Sequence, residues 1–251
     1  MNDDNGAITL TFGDCAENHV GMQIIGTMDN KGYSKKDMDE IIKSFPDNKV
    51  EKIKLHKMDL YENDDIEELK LQEAYIYIIR DMFPEHEKLY NELKVLEWDT
   101  KALMRGKVVN KIARYNLNFA NFSQEPNYEE GKGRIVNIED IKLLKILNNI
   151  IKKSTENDLV IEGNYYYNID KCGIGYHGDA ERRKTIGVRL GKSFPICFQW
   201  YYQSEKISEV KEIMLNSGDM YIMSEKTTGT DWKKRNIPTL RHSAGSKKYT
   251  T

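Results

Sequence analysis

TIGVRLGKSFPICFQWYY, residues 185–202, holds two short runs rich in apolar and aromatic residues, TIGVRLG and ICFQWYY, separated by turn-forming residues. Runs of this length with glycine and serine between them read as strands, not helices. The pattern recurs on both sides, in LVIEGNYYYNI (159–169), DMYIMSE (219–225) and PTLRHSAG (238–245). Short, evenly spaced strands imply a sandwich, barrel or jelly roll over the last third of the chain.

Upstream the periodicity changes. EDIKLLKILNNIIKK (139–153) places Ile141, Leu144, Leu147 and Ile151 on one face, so a helix is expected there, with Asn137 as its cap. The segment 101–134 is rich in Gly, Asn and Pro and reads as mostly loop. In the first 95 residues, AITLTF (7–12), VEKIKLH (50–56) and AYIYIIRDMF (74–83) read as strands. Ser34 caps a helix through KKDMDEIIKSF, and Pro84 opens another through EHEKLYNELKVLEW. The expected fold is α+β, a jelly-roll core with packing helices over residues 96–251 and an α/β N-terminal region over 1–95.

Composition narrows the class. Of the 251 residues, 39% are hydrophobic and 31% charged, which suits a soluble globular protein. A formal net charge of −2 gives no global field toward nucleic acid or membrane, so any such contact must be local. Cys15, Cys172 and Cys197 are sparse, odd in number and without CxxC spacing, as expected of reduced intracellular thiols. The N-terminal stretch has no apolar signal region, and no run approaches membrane-spanning length. The reading is a soluble cytoplasmic protein, its oligomeric state left open.

Within YHGDAERRK (176–184), His177 and Asp179 stand two apart, which on a strand turns both side chains to one face, with Gly178 leaving space between them. Two histidines and one carboxylate on one side of a metal, with open positions opposite, form the ligand set of non-haem Fe(II) oxygenases. The other histidine downstream is His242, on the strand expected near residue 242. Taken alone the spacing is also compatible with a polar turn carrying a solvent-facing histidine.

The surrounding motifs are more specific. GNYYYNIDKCGIGYHGDAE (163–181), then GVRLG, FQW and SGDMYIMSE, and a tryptophan before the distal histidine, occur in order. This series resembles the AlkB-like Fe(II)/2-oxoglutarate dioxygenases over roughly residues 95–251. The resemblance implies that His177, Asp179 and His242 ligate iron, that Asn164 and Tyr166 hydrogen-bond 2-oxoglutarate, and that Glu181 faces the substrate. It implies Fe(II), 2-oxoglutarate and O₂ as cofactor and co-substrates, and hydroxylation or oxidative demethylation, with an alkylated nucleobase or nucleotide as one substrate class. A small metabolite, a protein side chain, or a non-catalytic binding module are the alternatives. Two departures stand out. Trp232 is followed by Lys233 and Lys234 in place of the family's nearby histidine. The family's arginine beyond the distal histidine is also missing, which leaves Lys247, Lys248, Arg189 or Arg241 to neutralise the far carboxylate.

Three further groups bear on substrate. Arg182 and Arg183 follow the HxD at once and could meet an anion or pair with surface acids. FGDCAENHVGMQ (12–23) concentrates polar residues, with Asn18 and His19 as candidate substrate readers. KALMRGKVVNKIARYNLNFANF (101–122) interleaves basic and aromatic residues, either for single-stranded nucleic acid or as a charged face over core aromatics.

Overall fold

A computed structural model describes residues 4–62 and 69–251. The first part of the chain carries β1 (Ala7–Gly13), the hairpin β2 (Cys15–Glu17) and β3 (Ile24–Gly26), α1 (Lys35–Ile41), β4 (Val50–Lys54), β5 (Tyr75–Ile79) and α2 (His86–Lys94). Next come the hairpin β6 (Lys101–Met104) and β7 (Lys107–Asn110), β8 (Tyr115–Ala120), β9 (Ile135–Asn137) and α3 (Lys142–Thr155). The remainder is β10 (Val160–Tyr166), β11 (Gly173–His177), β12 (Thr185–Gly191), β13 (Phe194–Tyr202), β14 (Glu205–Lys206), β15 (Lys211–Leu215), β16 (Met220–Met223), α4 (Glu225–Thr228), β17 (Thr239–Gly245) and α5 (Lys247–Thr250). The fold is mixed α+β, mostly sheet with few helices.

Among the described residues the large sheet has the order β4-β5-β16-β12-β1-β10-β8-β9, antiparallel except where β8 and β9 run parallel. A smaller sheet has the order β11-β17-β13-β14, with β15 also on β13. The boundary expected at 95/96 runs through the large sheet: β1 lies between β10 and β12, and β5 pairs with β16.

Alternation along β1 explains how the layers assemble. Ile8, Leu10 and Phe12 point to one face, where they meet Val188, Leu190 and Ile161 and the buried sides of the helices through Met38, Leu89, Leu144 and Leu147. Fully burying each such side chain contributes about 1.5–3 kcal/mol, which docks three otherwise marginal helices onto one face. On the other face Ile76, Ile78 and Met223 of the large sheet pack against Ile196, Phe198 and Leu240 of the small one. Trp200 is buried in this second core, its indole N–H donating to the Leu55 carbonyl. Between the sheets the middle of β1 is polar: Thr9 and Thr11 face inward, and there the core gives way to a cavity.

Two local expectations change. Asn137 caps a short 3-10 turn, accepting from the Glu139 N–H, and α3 begins only at Lys142 after an extended Ile141. The 101–134 segment, most of it outside strands as expected, also supplies a hairpin and the core strand β8. Leu117 and Phe119 of β8 are fully buried, and the surrounding Asn residues mask their period of two. Around Ser34 the expectation holds: it caps α1 reciprocally with Asp37.

Candidate metal centre and its cavity

Antiparallel pairing of β11 with β17 sets His177 directly opposite His242, their ring centroids 4.5 Å apart. Asp179 lies just past the end of β11, where its N–H donates to the Thr228 carbonyl. Its Oδ1 is 3.6 Å from His177 Nε2 and 3.4 Å from His242 Nε2. One ligand atom from each residue lies within 4.8 Å of the other two, close enough to hold a metal ion together. Gly178 has a reason other than the expected one. A Cβ there would stand 2.1 Å from the Gly229 carbonyl oxygen, so the glycine admits a neighbouring backbone.

Protonation favours ligation. His177 Nδ1 lies 2.8 Å from the Gly175 carbonyl, an acceptor only, so Nδ1 carries the proton and Nε2 keeps its lone pair toward Asp179. Burial, with His242 beside it, pushes the His177 pKa down to about 3. Burial would raise Asp179, but His242 and Arg182 hold its carboxyl below the usual range.

Arg182 is 2% exposed and ion-pairs with Glu162, with Glu181 at 2.7 Å and with Asp179 Oδ2 at 3.8 Å. It meets carboxylates inside the fold and is no surface cation waiting for an anion. Asp179 thus turns one oxygen to the imidazoles and the other to the guanidinium. Burial pushes Glu181 up to about 7 against the pull of Arg182, with Asp179 and Glu162 adding to the rise.

The triad opens on a cavity of about 530 Å³ between the sheets. Across the large sheet, Thr9 is paired with Arg189 on one side and Asn164 on the other, and Asn164 with Asn116, so these residues form one row. Arg189 is 1% exposed, its guanidinium 4.9 Å from the centre of the Phe194 ring, and its Nε and Nη1 have no hydrogen-bond partner. The buried hydroxyl of Thr9 is also unpartnered. Two orphaned polar groups from adjacent strands on a buried wall match what an anionic ligand would satisfy. In the next row Gly187 is obligatory, because the Tyr221 ring occupies the place of a side chain: a Cβ would come within 1.9 Å of it.

Of the candidates read from sequence, His177, Asp179, His242, Asn164, Tyr166, Arg189, Glu181, Arg182, Asn18 and His19 all line this cavity. Arg183 does not; it pairs with Glu225 at 2.9 Å along a separate groove. Arg241 also lies outside, because alternation in β17 turns it to the opposite face from His242, where it stacks 4.0 Å from the Tyr201 ring centre. Lys247 and Lys248 are exposed on α5, outside the lining. Asn18 is committed internally: its amide donates to Asp99, and its carbonyl oxygens accept from Lys111. Burial pushes Lys111 down to about 7. Sequence reasoning missed Thr9, Glu162 and Tyr221, and reached Arg114 only as one of the basic residues of 101–122. The orphaned hydroxyl and guanidinium become visible only once strand register is known.

No protein-family model matches the sequence. The chain is 48% identical over 250 residues to an uncharacterized protein of Acanthamoeba polyphaga mimivirus, the match covering 96% of each chain. The chain belongs to the same family as that mimivirus protein. Among the described residues, no helix is long and apolar enough to cross a membrane.

Proposed function

We propose that the protein is an Fe(II)/2-oxoglutarate-dependent dioxygenase on a double-stranded β-helix (jelly-roll) framework, as the AlkB-like resemblance implies. One observation carries the reading: a His-Asp-His cluster and a buried, unpaired guanidinium share a single cavity. The donor set fits iron, with two imidazole nitrogens and one carboxylate oxygen leaving room for exogenous ligands. The orphaned N–H groups of Arg189, with the Thr9 hydroxyl, fit the far carboxylate of a 2-oxo diacid.

In this reading His177 Nε2, His242 Nε2 and Asp179 Oδ1 would hold the metal. Together with 2-oxoglutarate, bound iron supplies O₂ activation coupled to decarboxylation to succinate and CO₂, and so hydroxylation or oxidative demethylation of a substrate. The protein's part is placement. Arg182 orients Asp179, Gly175 fixes the His177 tautomer, and Arg189 takes the place left by the family's missing arginine. Tyr166 and Asn164 line the co-substrate wall, and Glu181 faces the substrate. An alkylated nucleobase or nucleotide remains the substrate class the resemblance implies, with a small metabolite or protein side chain as the second.

The test is aerobic succinate formation from 2-oxoglutarate with Fe(II), alongside Co(II) absorption of the bound metal, in wild type and His177→Ala. Wild-type turnover and a d–d spectrum, both lost in the variant, are expected. Wild type that neither binds Co(II) nor forms succinate overturns the reading.

A further inference from the structure

The cavity holds a third arginine, besides Arg182 and Arg189, to which the proposed function gives no ligand. Arg114 precedes β8, is half-buried and lines the cavity. Its Nε donates to Asn164 Oδ1 at 2.6 Å, and the same oxygen accepts from Asn116 Nδ2 at 2.9 Å. That anchors the guanidinium against β10 while leaving its Nη edge uncommitted. No carboxylate ion-pairs with it among the described residues.

We infer that Arg114 is the receptor for an anionic group, carboxylate or phosphate, on the primary substrate. This rests on the dioxygenase reading, in which Arg189 serves the co-substrate. Register separates the two arginines. Arg189 and Asn164 flank Thr9, so their Cα atoms are two inter-strand spacings apart, about 10 Å. Arg114 enters from beyond Asn164, on the Asn116 side. Burial orders them as well: Arg189 is 1% exposed, whereas Arg114 is half-buried near a rim that includes the exposed Val20 and Lys233.

The local field favours an anion. Burial is the main cause that depresses His19, and Arg114 is close enough to add to it; Lys233 also lines the cavity. Lys111 already donates to Asn18 and Asn116, so on the Asn116 side of the row it is Arg114 that keeps donors to spare among the described residues. A planar fork held at one nitrogen presents its outer N–H pair in fixed geometry, which suits a two-oxygen group. Glu17, Glu162 and Glu181 line the cavity too; Glu162, which accepts from Asn116 and Asn164 on this side, is neutralised by Arg182, so the preference belongs to the Nη edge of Arg114 and not to the whole opening.

The experiment uses the full chain loaded with Mn(II) and saturating 2-oxoglutarate. Inorganic phosphate and acetate are titrated separately, read by calorimetry and by the fluorescence of Trp232, which lines the cavity. Wild type is expected to bind at least one of them; phosphate points to phosphorylated substrates and acetate to carboxylated ones. Arg114→Gln should weaken that anion at least about tenfold, and should weaken 2-oxoglutarate, through Asn164, far less than Arg189→Met does. Arg114→Lys, which keeps the charge, should retain part of the binding and serves if the glutamine variant folds poorly. The assignment is overturned if neither anion binds, if Arg114→Gln binds as wild type does, or if it weakens 2-oxoglutarate as much as Arg189→Met. Should Mn(II) and 2-oxoglutarate fail to bind wild type, the dioxygenase reading fails by itself, and the same anion titration on the metal-free chain still decides Arg114.

Discussion

Arg182 and Arg189 are buried to almost the same degree in the same cavity, yet their surroundings are opposite. Arg182 meets Glu162, Glu181 and Asp179, and only its Nη1 lacks a partner; Arg189 meets no carboxylate among the described residues, and two of its nitrogens lack a hydrogen-bond partner. The first charge is neutralised within the fold and positions a ligand of the candidate metal. The second is an electrostatic cost that a bound anion would relieve. Equal burial therefore says little about a charged group; the partner list separates a structural role from a binding role.

The largest test of that contrast is stability. Arg182→Ala strands buried carboxylates and should cost about 3–5 kcal/mol, lowering Tm by about 6–20 °C. Arg189→Met removes a charge that lacks a partner and should leave Tm unchanged or raise it. A large loss in Arg189→Met, by calorimetry or circular dichroism, breaks the contrast.

Ligand-linked stabilisation comes next. With Mn(II) and 2-oxoglutarate each at about 100 times its Kd, wild type should gain about 2.7 kcal/mol from each ligand, about 5.4 kcal/mol together. The 2-oxoglutarate part of this shift should vanish in Arg189→Met and the Mn(II) part in His177→Ala. A full shift in Arg189→Met would move the co-substrate carboxylate elsewhere.

Gly178→Ala should cost about 1–3 kcal/mol and weaken Mn(II) binding, because the added methyl meets the Gly229 carbonyl and shifts the chain that carries Asp179. Unchanged Mn(II) affinity would show that this close approach is not needed for the site.

The smallest effect concerns a third cation. Lys111 has carbonyl oxygens as hydrogen-bond acceptors, and burial holds its pKa near 7, below the 10.5 of an unhindered lysine. The unfolded chain binds this proton more tightly between those values, so Lys111 makes stability rise from pH 7 toward 10.5. Denaturant unfolding at pH 7 and pH 9 should show a smaller rise in Lys111→Met than in wild type. Equal slopes would place Lys111 with the ordinary, solvated lysines.

Much of this molecule follows from one-dimensional pattern. The period of two in AITLTF and TIGVRLG, the helical face of Leu144, Leu147 and Ile151, and the HxD spacing all announce themselves. They are legible because backbone geometry alone decides which neighbours in sequence share a face. Strand β8 was illegible within 101–134 because Asn110, Asn116, Asn118 and Asn121 imitate a loop, and its burial comes from strands distant in sequence.

Sequence by itself determined the alternation that gives β1 an apolar and a polar face, and it supplied His177, Asp179 and His242 as a possible trio. It left four cations as equal candidates for one role. Tertiary structure separated them: β17 turns Arg241 away from His242, α5 carries Lys247 and Lys248 to the surface, and pairing with β1 brings Arg189 beside Thr9 with no ion-pair partner among the described residues. The physical reason is that direction and desolvation depend on which strands lie alongside, and that is fixed by long-range pairing.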